Sequence, residues 1–235
     1  MKRNKKLIII LVAVLAVGAI ATTIGLTSAY WIGASGNSEV APQTDTTDWN
    51  YWIKYFIYEP VRNSNGGIDS MKIVGFSGAV YENVIIPRKV YGTNIKIREN
   101  GVDSTIPSIS EDSPYPVTTL CNSTFADTTE KAVPVTITLP TSVTVDPGTF
   151  MGMSNLTTIK IVHVQNFNND EVTEIDIGGQ NSFMGCNNLS KIVVSGAVTI
   201  NGFAVSNNNG ITASEEVLNN LRAYLSAPNV EFEAQ

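Results

Sequence analysis

Two stretches of the sequence are alike: Thr149-Phe-Met-Gly-Met-Ser-Asn-Leu156 and Ser182-Phe-Met-Gly-Cys-Asn-Asn-Leu189. Each runs from a phenylalanine to a leucine six positions later, and an apolar segment follows after a short gap, first Ile159–Val162 and then Ile192–Val194. A less regular copy, Asn122–Ala126, stands earlier in the chain. Repetition of this kind predicts that successive copies stack and bury their apolar side chains against each other.

The spacing of the copies indicates the architecture. Phe125 and Phe150 are 25 residues apart, and Phe150 and Phe183 are 33 apart. The excess of eight residues falls in His163–Glu171, a polar insertion. A repeat of roughly 20 to 30 residues with turns of small residues is typical of a solenoid. We therefore expect a mainly β chain folded as a short solenoid.

Four segments carry a resemblance to a known family: Gly185–Val194, Thr149–Ile161, Ile137–Thr144 and the lead-in Tyr81–Ile95. They resemble the BspA-type leucine-rich repeat of bacterial surface proteins, over roughly residues 50–200 by pattern. The resemblance implies a leucine-rich-repeat solenoid and, more loosely, adhesion or protein binding. It supplies no catalytic, cofactor-binding or metal-ligating residues, so we expect none and no cofactor.

The N-terminus indicates export. Lys2–Lys6 is basic and Leu7–Ala21 is apolar without interruption. Ala19-Ile-Ala21 and Thr27-Ser-Ala29 are candidate cleavage sites of a secretory signal peptide. The apolar run also extends to Leu26, which is long enough for a transmembrane anchor. Both outcomes place the rest of the chain outside the cell, either secreted or held at the surface.

Composition divides the chain into five predicted parts. Residues 30–48 are rich in Gly, Ser, Thr, Asn and Pro, which is typical of a flexible stalk. The parts are a signal peptide or membrane anchor (1–29), the stalk (30–48), an N-terminal β cap (49–97), the repeat solenoid (98–205) and a C-terminal helical cap (206–235).

The N-terminal cap is predicted to be a β-hairpin with a third strand. Asn50–Tyr58, Met71–Phe76 and Asn83–Ile86 are rich in aromatic and β-branched residues. The aromatic residues cover the open end of a core in one interpretation and form a carbohydrate-stacking platform in the other. Ser104–Pro116 is expected to be an irregular insertion.

The C-terminal cap is predicted to be an amphipathic helix. Thr212 and Glu215 have the spacing of a capping box, and Pro228 ends the apolar pattern that follows. Val230 and Phe232 offer a further strand. Such a helix would cover the exposed last coil of a solenoid.

Charge and residue chemistry exclude several functions. Four of the fifteen basic residues and none of the 21 acidic residues lie in residues 1–29, so residues 30–235 carry a net charge of −10. An acidic chain repels nucleic acid and anionic lipid, so only the N-terminal segment is expected to meet a membrane. No second histidine and no catalytic cysteine lies near His163 in the sequence, so the sequence shows neither a catalytic triad nor a zinc site. We interpret His163 as a surface residue at the end of a strand.

Two smaller questions stay open at the level of sequence. Oxygen ligands that calcium could use cluster in and after the polar insertion, but without the ordered spacing of a calcium loop: Asn166, Asn168, Asn169, Asp170, Glu171 and Asp176. The two cysteines, Cys121 and Cys186, are buried thiols in the more ordinary interpretation and a disulfide in the other.

The sequence therefore predicts an exported protein-interaction or adhesion module at the cell surface, without catalysis. Its partner would be another protein or copies of itself. The alternative is a self-associating structural subunit of an extracellular or surface assembly. A degenerate hydrolase or glycan-binding protein is the third hypothesis, and it would need acidic side chains beside the aromatic residues of the N-terminal cap.

Overall fold

The computed structural model describes residues 49–77, 83–126, 134–165 and 169–235. The predicted leader (1–29) and stalk (30–48) lie outside these residues. Alternating burial along most strands shows why they form: apolar side chains at every second position face one core. As expected, the described chain is mainly β.

A 3-10 helix, Trp49–Tyr55, opens the described chain. Eighteen strands and one α-helix follow in the described residues. In chain order they are β1 (Phe56–Arg62), β2 (Ile68–Phe76), β3 (Asn83–Ile85), β4 (Lys89–Val90), β5 (Gly92–Glu99), β6 (Val102–Ile109), β7 (Tyr115–Leu120), β8 (Thr136–Pro140), β9 (Thr144–Val145), β10 (Thr158–Val162), β11 (Val164–Gln165), β12 (Glu171–Val172), β13 (Glu174–Ile175), β14 (Lys191–Ser195), β15 (Val198–Ile200), β16 (Phe203–Asn207), β17 (Gly210–Ile211), α1 (Glu215–Tyr224) and β18 (Glu231–Ala234).

The repeated segments form one parallel sheet. Its five strands lie in the order β18-β14-β10-β8-β3, and all neighbours pair in parallel. Ile137, Ile159 and Ile192 occupy equivalent register positions, and all three are buried. The apolar segments after the two similar turns, β10 and β14, are direct neighbours in this sheet, as their repetition predicts.

The rest of the strands do not continue this pattern, and the predicted solenoid is wrong. A seven-stranded sheet runs in the order β4-β7-β2-β1-β5-β6, with β9 also paired to β7. It mixes antiparallel pairs, β1–β2 and β5–β6, with parallel ones, β2–β7 and β1–β5. Two smaller sheets, β11–β12 and β13-β15-β16-β17, contain antiparallel pairs as well. A stack of equivalent coils would have required one parallel connection repeated throughout.

Ser104–Pro116 is also not an irregular insertion. Residues 92–109 form a long antiparallel hairpin, β5–β6, whose two-residue turn is Asn100-Gly101. Both turn residues have positive φ, 52° and 77°, which matches the type I′ turns that join tightly paired strands. The hairpin spans the predicted boundary between the N-terminal cap and the repeats.

The two termini of the described region differ in detail from the expectation. The first half of Asn50–Tyr58 is 3-10 helix and only its end is strand, because Trp52 and Ile53 turn inward onto the core. The C-terminal helix is present, but its N-cap is Ser214, whose side chain accepts a hydrogen bond from the Val217 backbone N–H. The expected further strand is β18, which pairs with β14.

One hydrophobic core connects the elements other than the β11–β12 hairpin, from Trp52 in the 3-10 helix to Val230 before β18. The phenylalanines of the two similar turns, Phe150 and Phe183, stack within it with ring centroids 5.3 Å apart. Their periodicity in the sequence therefore reports direct packing of one turn on the next.

Candidate binding surface

The outward side of the five-stranded parallel sheet is the broadest regular surface that the repeated segments create. Its side chains stand in rows across the strands because the register is unbroken. One row contains Thr136, Thr158, Lys191 and Glu231, and the next contains Thr138, Lys160, Val193 and Glu233. On β3 the position in register with Thr138 is the buried Ile85, so the open part of this row covers four strands, which span about 14 Å at about 4.8 Å per strand. We call this surface the sheet face.

The sheet face is polar and carries both signs of charge. Lys191 Nζ lies 2.7 Å from a carboxylate oxygen of Glu233, an ion pair between neighbouring strands. Lys160, at the centre of the face, forms no ion pair or hydrogen bond with the described residues around it. Lys160 as a whole residue is half-buried.

His163 lies directly after β10, at one end of the sheet face. Its Nε2 is 2.9 Å from a carboxylate oxygen of Glu171, an ion-pair distance without the alignment of a hydrogen bond. Gln165 donates to the other oxygen of Glu171 at 2.8 Å. The predicted surface histidine is thus a half-buried residue whose imidazole contacts Glu171 on β12.

The aromatic residues of the 3-10 helix pack on one another. Tyr51 meets Trp52 edge to face at 5.5 Å, and the Tyr51 and Tyr55 hydroxyls are 3.1 Å apart. Lys54 covers both tyrosine rings, with Nζ 4.8 and 4.9 Å from their centroids. The rings thus face each other, the core and a lysine, which favours a core cover over a carbohydrate-stacking platform.

The two cysteines are free thiols. Burial raises the pKa of both to about 11, and for Cys121 the nearby Asp146 carboxylate adds to the effect. Cys186 is buried, and its Sγ donates to the Phe150 carbonyl at 2.9 Å. Neither thiol is activated as a nucleophile, because activation requires a lowered pKa.

Two features of the described residues bear on small-molecule or metal binding. An open hollow of about 300 Å³ lies beside the β5–β6 hairpin, lined by Ile57, Lys96, Asp103 and Thr105 among others. No group of three or more His, Cys, Asp or Glu in the described residues is placed to hold a metal ion. Of the predicted calcium ligands, Asn166 and Asn168 lie outside those residues.

Comparison with known proteins gives one distant likeness. No family model matches the chain, and no curated protein matches it. A leucine rich cell surface protein from Faecalibacterium prausnitzii A2-165 has a solved structure that is similar with 18% sequence identity and a TM-score of 0.32. The similarity covers 63% of this chain and 38% of that one, so this chain spans well under half of that protein. The surface location in its name is a property of that protein.

Within the described residues, no helix has the length and apolar character needed to cross a membrane. The apolar segment Leu7–Ala21, on which both membrane predictions depend, lies outside them.

Proposed function

We propose that this chain is an exported protein-interaction or adhesion module of the cell surface, without catalysis, and that it binds a protein partner through the sheet face. The observation that carries the proposal is the sheet face itself: in-register rows of threonine, lysine and glutamate about Lys160. A wide, regular and polar surface suits contact with another macromolecule, whereas small-molecule sites are concave and mostly apolar. The basic and apolar N-terminus supports export.

Lys160 defines the test. Cells displaying the full chain are treated with a photo-crosslinker, and cross-linked proteins are identified and quantified by mass spectrometry. For a partner bound at the sheet face, Lys160→Glu should lower recovery at least about tenfold, because a reversed charge at the centre of an interface costs several kcal/mol. Lys96→Glu makes the same charge change on the β5–β6 hairpin and should leave recovery unchanged.

Equal recovery with Lys160→Glu and Lys96→Glu would show that the partner binds elsewhere. Failure to recover any protein with the unmodified chain would contradict partner binding altogether. The proposal that the chain is not an enzyme is tested separately: turnover of a peptide or glycan library by the purified chain would overturn it.

The alternative, a self-associating structural subunit, would have to use a surface other than the ends of the parallel sheet. The 3-10 helix packs against β3 at one end, and β17 lies against β18 at the other. Covered edges disfavour growth by pairing of strands between copies. One other surface of the described chain is suited to association between copies through side chains.

A further inference from the structure

Three turns lie side by side along one margin of the molecule. They comprise residues 147–153, residues 180–186, and the end of α1 with the turn after it, residues 223–226, and we call this margin the turn edge. The Gly152 backbone N–H donates to the Met184 carbonyl at 2.9 Å, and the Phe183 N–H donates to the Leu225 carbonyl at 3.1 Å. A continuous surface results, in which each turn is fixed to its neighbour.

The turn edge collects the exposed apolar side chains of the molecule. Among the described residues four large hydrophobic side chains are exposed, and three of them lie on this margin: Met151 at 50%, Met184 at 53% and Tyr224 at 40%. The two methionines follow the stacked Phe150 and Phe183, so they occupy the same position in neighbouring turns. Clustered exposure of this kind marks an interaction surface, and methionine adapts well to a partner.

The turn edge is also uncharged, in a chain that is otherwise acidic. Residues 147–159, 177–190 and 223–230 contain no Asp, Glu, Lys or Arg, whereas residues 30–235 carry a net charge of −10. Two copies of such a chain repel each other over most of their surface. They meet without that cost where neither presents a charge.

We infer that the turn edge is the contact surface between two copies of this chain, related by a two-fold axis that passes between Met151 and Met184. An interface of this symmetry uses the same patch on both copies. It places Met151 of one copy against Met184 of the other.

The expected dimer is weak. Three turns about 4.8 Å apart form a strip only about 10 Å wide, which is too narrow to bury the roughly 800 Å² per partner of a standard interface. Association should therefore appear only at high concentration, as on a crowded cell surface. The inference uses a surface different from the sheet face, so either proposal can fail while the other stands.

The test is sedimentation velocity of the full chain in a non-ionic detergent, from about 1 to about 500 µM, a range suited to a weak dimer. We expect a concentration-dependent dimer. Met184→Glu should weaken it at least about tenfold, because it places two negative charges at the contact of an acidic chain. Val102→Glu is the control: Val102 is 67% exposed but lies on β6, away from the turn edge, and its substitution should change nothing.

A charge pair tests the two-fold arrangement. In the double variant Met151→Lys with Met184→Glu, each new lysine faces the new glutamate of the other copy, and dimerisation should recover relative to Met184→Glu alone. Circular dichroism confirms that each variant is folded, and Met151→Glu replaces Met184→Glu if the latter is not. Lys160→Glu should leave the dimer intact.

Three outcomes of the sedimentation measurements would overturn the inference. These are a monomer at every concentration, a dimer that tolerates both single glutamate substitutions, and a dimer weakened equally by Val102→Glu. Capture of a different protein that is lost in Met184→Glu, with the chain itself monomeric, would also overturn it and assign the turn edge to that partner.

Discussion

Phe150 and Phe183 stack nearly parallel, with ring planes at 12°, and both are almost fully buried. Phe183→Ala removes one ring of this pair and leaves a cavity between two turns, so we expect a loss of about 3–5 kcal/mol in the free energy of unfolding. Urea unfolding measures it. Met184→Ala, at the next position but exposed, should stay within about 0.5 kcal/mol. Equal losses in the two variants would show that the stack contributes nothing of its own.

The two cysteines should make the stability of the folded protein fall at alkaline pH. Burial raises the pKa of Cys121 and Cys186 from about 9 to about 11 in the folded state. The unfolded chain loses these protons first, so their contribution to stability is complete below pH 9 and disappears as pH rises to about 11. Urea midpoints between pH 7 and 11 should fall more steeply for the natural chain than for the Cys121→Ala, Cys186→Ala double variant. Parallel curves would contradict this.

At the level of elements, the sequence predicts strands and turns best where residues close in the sequence determine the local structure. The apolar segments Ile159–Val162 and Ile192–Val194 predicted β10 and β14, and the equivalent spacing of Phe150 and Phe183 predicted that their turns stack. Lys160 could therefore be placed in a strand from sequence, although its central position on the sheet face could not. The ion pair of Lys191 with Glu233 depends on β18 returning to pair with β14 after a helix, which no local pattern encodes.

The start of α1 shows how a local rule can select the wrong residue. Thr212 and Glu215 have the spacing of a capping box, but the helix begins at Glu215 and Ser214 is its N-cap. Ser214→Ala should cost about 1 kcal/mol of unfolding free energy, because the Val217 N–H loses its acceptor. Thr212→Ala is the matched control and should be nearly neutral. The reverse order in urea unfolding would support the capping box instead.

Close contact between neighbouring turns makes a further prediction. Gly152 and Gly185 occupy equivalent positions with similar positive φ, 78° and 83°, so alanine carries the same backbone cost at both. A Cβ on Gly185 would lie 3.2 Å from the Gly152 Cα, whereas a Cβ on Gly152 meets nothing within 4 Å. Gly185→Ala should therefore lower the urea midpoint more than Gly152→Ala. Identical midpoints would mean that the turns yield without cost.

For the whole molecule, the prediction of a solenoid was wrong because it extended a local repeat to the entire chain. The repeat is real in the parallel sheet, but the β5–β6 hairpin and the mixed seven-stranded sheet surround the same core with other connections. Sequence identified β2 and the end of the 50–58 segment as strands, but it missed β6, most of which was expected to belong to an irregular insertion. It did not identify their pairing, because pairing between distant strands is chosen by the packing of the complete core.

That shared core has a consequence for unfolding. In a stack of repeats each unit contacts only its neighbours, so damage at one end need not reach the other. Here one core joins Trp52 to Leu221.

In a Trp31→Phe, Trp49→Phe background, Trp52 fluorescence reports the N-terminal side, and Leu221→Ala removes a fully buried side chain on α1. We expect the urea midpoints measured by fluorescence and by circular dichroism to fall together. The free energy of unfolding should fall by about 2–5 kcal/mol. Val102→Ala, on the exposed hairpin, should leave both midpoints in place. A circular dichroism shift with the Trp52 signal unmoved would show that the two ends unfold separately, and that the continuous core does not make the chain one cooperative unit.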